Sequence, residues 1–381
     1  MYDIVLKNGT VIDPSISRKK EMDLAISNGK IAALEESIDS SEAERALDVS
    51  GQFVTPGLID LHTHVYYGGT HWGIDPRDPT VNPGVTTFVD AGSAGAGNFQ
   101  GFKEFIIDGT ERRVKSFLHI AFSGLASGIY LPDQSIIVGE LSDIRYAALG
   151  PAVETGKMFP EDVLGIKIRA SVTAASNNGL QAIELAKRAA GELDIPLMVH
   201  VSSPPPLIDE VLPRLRSGDI LTHAFRGSPN SLLRNGEIIP EFIDAVERGV
   251  RIDIGHGGNS FSFDVTRQLL DEGYRPDVIS SDVHVFSIEG PAHDLLTTMS
   301  KFLNLGHPLM EVIEATTTAP SRVLGLDSDA GSLEEGRWAD VTVLEIEKGE
   351  FQFLDSMGVE MTGTRRLSSP YCIVNGELIE H

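Results

Sequence analysis

Cysteine is nearly absent from this chain. One thiol, Cys372, occurs among 381 residues. A single cysteine forms no internal disulfide and builds no thiolate zinc site. The chain therefore suits a reducing compartment, and a cytoplasmic location is expected. Basic residues are also scarce. Lysine and arginine number 31 against 55 aspartates and glutamates, a formal net charge of −24. Nonspecific nucleic-acid binding needs a dense basic face that displaces counterions, so that class is excluded. No apolar run reaches the ~18 residues that span a bilayer, and no membrane partner is expected. Met1-Tyr2-Asp3-Ile4-Val5 places no basic segment ahead of an apolar stretch, so no signal peptide is expected. Low-complexity segments and short repeats are missing too. Disorder is not implied, because 41% of the residues are hydrophobic and the acids are scattered.

Both ends of the chain read as short strands. Residues 4–12 carry an Asn8-Gly9 turn signal between two β-rich runs, and residues 23–26 and 30–34 flank a second, Asn28-Gly29. Residues 339–344 form another strand-like run, and residues 372–379 read as a hairpin. Two β-rich ends around a different middle predict one small β-domain assembled from both termini. In the middle, strand-like runs occupy residues 53–64, 84–90, 116–121, 164–168, 196–201, 219–223, 250–254 and 278–282. Amphipathic stretches separate them. In residues 178–192, Leu180, Ile183, Ala186 and Ala190 recur at helical spacing. Eight βα units in roughly 270 residues fit a closed (β/α)8 barrel. An open doubly wound sheet is the alternative, but no Gly-x-Gly-x-x-Gly opens a helix after the first strand. The expected division gives residues 1–52 and 328–381 to the β-domain and residues 53–327 to the barrel.

Eleven histidines are present, and several fall where a barrel concentrates its chemistry. Side chains at the C-terminal ends of barrel strands face the active site. His62 and His64 end the first predicted strand, and their two-residue spacing puts both imidazoles on one face. Lys167 lies near the end of the fourth, His200 ends the fifth, His223 the sixth and Asp282 the eighth. Each has a plainer reading alone. A strand-end histidine is commonly a hydrogen-bonded core residue, a buried lysine snorkels or pairs with an acid, and an aspartate caps a helix. Six such residues in order along one barrel argue for a two-metal hydrolytic site. Imidazole and carboxylate ligate zinc and similar divalent ions. Two ions about 3.5–4 Å apart need a shared negative bridge, which an ammonium cannot supply. A desolvated lysine has a lowered pKa and, once neutral, takes up carbon dioxide as a carbamate, a carboxylate on a long arm. Lys167 is the candidate for that modification. Water bridging the ions becomes hydroxide near neutral pH. Asp282 is the candidate general base and acid, ligating one ion and passing the proton to the leaving group.

The run VTPGLIDLHTH at residues 54–64 resembles the signature of the amidohydrolase superfamily. Residues 331–341 resemble the segment that returns the chain to that family's β-sandwich, and residues 6–13 match as well. The resemblance spans nearly the whole chain. It implies a distorted (β/α)8 TIM barrel with a small β-sandwich built from both termini. It also implies the binuclear subtype, with His62, His64, Lys167 as carbamate, His200, His223 and Asp282 holding two divalent ions, zinc foremost. Association into a homo-oligomer is implied too. Dihydroorotases of the superfamily carry an arginine two positions after the second histidine, where Tyr66 stands here. Cytosine-deaminase-like members are usually mononuclear and do not need the lysine. Residues 64–70, followed by 73–76, resemble a bacterial branch labelled dihydroorotase-like or adenine-deaminase-like, whose better-studied members resemble deacetylases. The expected reaction is hydrolysis of an amide or ester acyl bond in a small, acetylated, carboxylate-bearing molecule. Opening of a cyclic amide is the alternative, and a noncatalytic scaffold homologue is a further one.

Four residues are expected to meet the substrate. Arg169 lies two residues after Lys167, on the same strand face, and a guanidinium grips a carboxylate bidentately; its plainer role is a structural ion pair. His256 sits in a glycine-rich loop after the seventh strand and is expected to reach the substrate with the loop's backbone donors. Tyr66 and Tyr67 follow the histidine pair, as carbonyl-polarising groups or as an aromatic wall. His284, two residues past Asp282, is expected to support the ligands.

Overall fold

Residues 1–129 and 135–381 are described in a computed structural model. The terminal strands alternate side chains between two faces, as pleating requires. In Tyr2–Asp13, Ile4 and Leu6 join one apolar cluster, while Val5 joins another with Ala25, Ala33 and Ile38. The β-sandwich unit is hydrogen-bonded as one eight-stranded network drawn from both ends of the chain. Asn28-Gly29 and Asn375-Gly376 turn hairpins, with both residues of each pair at positive φ. Asn8-Gly9 does not. It makes a bulge inside the continuous strand Tyr2–Asp13, and Asp23 accepts the Asn8 N–H at 2.8 Å there.

The middle of the chain is an α/β barrel. Leu58–Thr63 and Val85–Asp90 are buried at every position, the pattern of parallel strands covered on both faces. Parallel pairing then runs through Arg113–His119, Val163–Arg169, Leu197–His200, Ile220–Thr222 and Arg251–Ile252. The predicted eighth strand is irregular, because Asp282 takes a φ of 48°. It still joins the two edges: Val278 bridges to Asp253, Val283 bridges to Thr63, and the Asp282 N–H donates to His62 O at 2.7 Å. The amphipathic run predicted at 178–192 is the helix Gly179–Leu193, whose Ala182, Ile183, Ala186 and Ala190 face inward.

Two boundaries differ from the sequence reading. The first predicted strand, 53–64, splits at Gly57. Phe53–Pro56 pairs with Val341–Leu354 and Tyr2–Asp13 in the terminal sheet, and only Leu58–Thr63 enters the barrel. The barrel therefore begins at residue 58, not 53. At the other end, the short run 339–344 is the start of a long hairpin, Val341–Leu354 with Glu360–Val374. The hairpin reaches beyond the terminal sheet onto the barrel. Asp355 accepts the Phe263 N–H at 2.9 Å, and Leu367 N–H donates to Ser300 Oγ at 2.9 Å.

Candidate active site

Strand register sets the site. Arg169 lies opposite His200, and His200 opposite Thr222, so the polar ends of neighbouring strands share one level. All six predicted ligands converge there. Asp282 Oδ1 is 3.4 Å from His62 Nε2 and 3.2 Å from His64 Nε2. The His223 ring centroid is 4.9 Å from that of His62 and 4.3 Å from that of His200. Lys167 Nζ lies 3.1 Å from His62 Nε2. Ligand atoms of His62, His64 and Asp282 fall within 4.8 Å of one another, a group able to hold a metal ion. Burial pushes Lys167 down to about 7 against the pull of Asp282 and Asp253. Burial also holds His62, His200 and His223 well below the usual imidazole value, reinforced by nearby positive charge. These imidazoles are neutral at pH 7 and offer lone pairs. Burial raises Asp282 to about 6, opposed by His284, Lys167 and Arg169.

Hydrogen bonds behind the site assign which nitrogen is bare. Thr222 Oγ1 donates to Asp253 Oδ2 at 2.6 Å, so it accepts from His62 Nδ1 at 2.8 Å. His62 Nε2 then carries the lone pair, which Lys167 Nζ meets at 3.1 Å and which faces Asp282. His223 Nδ1 donates to Gly255 O at 2.6 Å, which leaves Nε2 bare, buried and without a partner. Asp282 Oδ1 is likewise a buried acceptor with no hydrogen-bond donor among the described residues. Orphaned buried acceptors of imidazole and carboxylate type are what a divalent cation satisfies, so the residues present fit such a group.

The glycine-rich loop serves this packing. Gly255 and Gly257 have φ of 47° and 52°. A Cβ on Gly255 would lie 2.4 Å from Thr222 Oγ1, and one on Gly257 would lie 2.2 Å from Asp282 Oδ2. The backbone must therefore pass bare against the ligands. His256 itself does not reach the cavity, contrary to expectation. Its ring stacks on Phe261, Nδ1 faces Gly257 O at 2.9 Å, and Nε2 receives Lys301 Nζ at 2.7 Å. Lys301 also donates to Pro291 O and Leu354 O, which ties loop, helix Leu295–Asn304 and hairpin together.

The two tyrosines are corrected as well. The Tyr66 hydroxyl donates to Asn98 O, its ring packs on Phe102, and Tyr67 is exposed; neither lines the cavity. The aromatic wall is made instead by Trp72, with His284 and Phe286 edge-on to it at centroid distances of 4.8 and 5.3 Å. Arg169 does line the cavity, but as a paired group. Its Nε is 3.5 Å from Glu140 Oε1, and its guanidinium lies over Trp72. Burial works against ionisation of Glu140, yet Arg169 and His119 hold it below the usual carboxylate value. Arg226 was not among the expected residues and also lines the cavity, whose volume is about 420 Å³. Its position three residues after His223 has no periodic signal. A larger cleft of about 760 Å³ opens beside the opposite, N-terminal ends of the strands. Its Arg216, Arg251 and Arg275 pair with Asp219, Asp277 and Glu311, at the barrel end that carries stability rather than chemistry.

Comparison with known proteins agrees with this geometry. The Amidohydrolase family profile matches residues 232–369. A deacetylase of Agrobacterium fabrum is 38% identical over 357 residues, covering 92% of this chain and 85% of the relative. A solved structure described as an adenine deaminase superposes with a TM-score of 0.91 at 32% identity over the full length of both chains. Another, described as a dihydroorotase, gives 0.89 at 35% identity over 100% of this chain and 98% of the other. A barrel with histidines and an aspartate gathered at its C-terminal mouth, and close relatives along nearly its whole length, place the chain in the amidohydrolase family.

Proposed function

We propose that the chain is a metal-dependent hydrolase that removes an acyl group, acetyl foremost, from an amide or ester of a small molecule. The observation that carries this reading is a pair of bare, buried acceptors, His223 Nε2 and Asp282 Oδ1, which converge with His62 Nε2 beside Lys167. His62, His64 and Asp282 would hold one divalent ion; His200 and His223 would hold a second, with zinc the best match to this donor set. Lys167 would bridge them as a carbamate: its neutral amine forms an N–C bond to carbon dioxide and releases a proton. When bound, such ions polarise a carbonyl as Lewis acids and bring a water's pKa near neutrality. Asp282 is placed to accept the attacking water's proton and return it to the leaving nitrogen or oxygen. The nearby Arg169 guanidinium helps to keep the carboxylate ionised. Trp72 and Phe286 wall the cavity and shield the scissile bond from bulk solvent.

The names of the curated relatives support acyl removal, as does Tyr66 in place of the dihydroorotase arginine. One structural neighbour's description as a dihydroorotase favours the second reading, cyclic-amide opening. A substrate panel separates them: N-acetyl amino acids, O-acetyl hydroxy acids, and hydantoin, dihydropyrimidine and lactam rings, assayed with metal-loaded protein. Acetate release from the open-chain compounds is expected. Turnover of rings alone would reject the deacetylase reading.

A further inference from the structure

The cavity contains two arginines with different electrostatic standing. Arg169 is balanced by Glu140 at 3.5 Å and stacks on Trp72. Arg226 is 5% exposed, and among the described residues no carboxylate pairs with it. Its Nη1 donates to Val201 O at 2.7 Å, and its Nε is buried with no acceptor among the described residues. That one bond fixes the side chain between the two strand ends that bear His200 and His223, and its charge lowers the proton affinity of both imidazoles. Burial pushes the guanidinium down to about 10 with no neighbouring anion to offset it, so it remains charged at pH 7. A buried charge without a counterion is costly. The arginines of the larger cleft each have an acid; among the described residues Arg226 has none.

We propose that Arg226 is the anchor for a carboxylate on the substrate, so that the enzyme selects free-acid acyl compounds over their neutral amides. The proposal rests on the hydrolase reading above and assigns to Arg226 the carboxylate grip that the sequence suggested for Arg169. The missing counterion arrives with the substrate. A carboxylate accepts charge-assisted hydrogen bonds from a guanidinium and restores neutrality where solvent is excluded. A neutral carboxamide would leave Arg226 without its counter-charge, and such unpaired groups produce strong discrimination. Arg169, already neutralised, is left to hold Trp72 and the cavity wall in place.

The test compares compounds that differ only in free carboxylate or primary carboxamide: N-acetyl amino acids and O-acetyl hydroxy acids with their amides. Metal-loaded parent, Arg226→Met and Arg226→Lys are assayed, and metal content and Tm are measured alongside. The parent should prefer acid to amide. Arg226→Met should raise KM for the acid about 100-fold, leave the amide within about threefold, and change kcat little. If Arg226→Met fails to fold, Arg226→Lys decides: it keeps the charge but loses the fork, and its acid-to-amide preference should fall about tenfold. Equal losses for acid and amide, or a parent indifferent to the carboxylate, would overturn the assignment. Calorimetric binding of the deacetylated product acids and their amides reads Arg226 without turnover. If the parent hydrolyses nothing, the hydrolase reading fails. Arg226-dependent binding of the acids alone would then still support the anchor, and Arg226-independent binding would overturn it.

Discussion

Lys167 brings an amine within 3.1 Å of an imidazole lone pair in a fully buried site. A permanent ammonium there would compete with any cation for the same acceptors, which is why a neutral or carbamylated lysine suits the position. Lys167→Ala should therefore lose bound metal by elemental analysis and lose activity by about 10³-fold or more, with partial recovery on adding propionate. Full activity without the additive would refute the bridging role. Asp282→Asn keeps volume and most packing but removes the proton acceptor. Its kcat should fall about 10²–10⁴-fold while far-ultraviolet circular dichroism and Tm stay near the parent values; parental turnover would remove Asp282 from the mechanism. Residues such as these were legible in the sequence because strand alternation and strand-end placement constrain them. Arg226, Trp72 and Glu140 were not, since they lie outside the barrel strands and obey no period. Arg169 faces the cavity and makes the structural ion pair that is its plainer reading, with Glu140, a residue on a connection remote in sequence.

At the scale of elements, the glycine-rich loop shows how a sequence signal can be right in place and wrong in purpose. Glycines at 255 and 257 were expected to deliver His256 and backbone donors to the substrate. They instead let the backbone touch His62, Thr222 and Asp282, with His256 turned into the core. Gly257→Ala combines a strained positive φ with a collision at the Asp282 carboxylate. It should cost about 2 kcal/mol or more in urea unfolding and lower metal occupancy. Gly258→Ala is the internal control, because its Cβ would meet nothing closer than 3.8 Å and its φ is not positive. Equal effects of the two substitutions would contradict this reading. Element type was readable along most of the barrel from continuous apolar runs. Junctions were less so: the run 53–64 reads as one strand only across its Pro56-Gly57 break, where the chain leaves the terminal sheet, and Asn8-Gly9 looks the same in a hairpin turn as in a bulge.

For the whole molecule, length and the paucity of cysteine allowed several domain plans. The observed one places a metal-ready mouth at one end of a barrel and ties both chain ends to its side. Arg113 of a barrel strand pairs with Asp340 at 2.6 Å and lies over Trp338, and Gly84 N–H donates to His381 at 2.9 Å. Among the described residues no helix is long and apolar enough to cross a membrane. The net charge of −24 is a sum over the whole chain; the cavity wall carries Arg169 and Arg226, so overall charge does not set the local field there. The central claim is that this mouth holds divalent metal and uses it to release an acyl group. The direct measurement is metal per chain by elemental analysis after supply with zinc, paired with acetate release before and after chelation. About two ions per chain are expected, with hydrolysis abolished by the chelator and restored by zinc. A chain that takes up no metal under ample supply, or hydrolyses equally well without it, would contradict the claim.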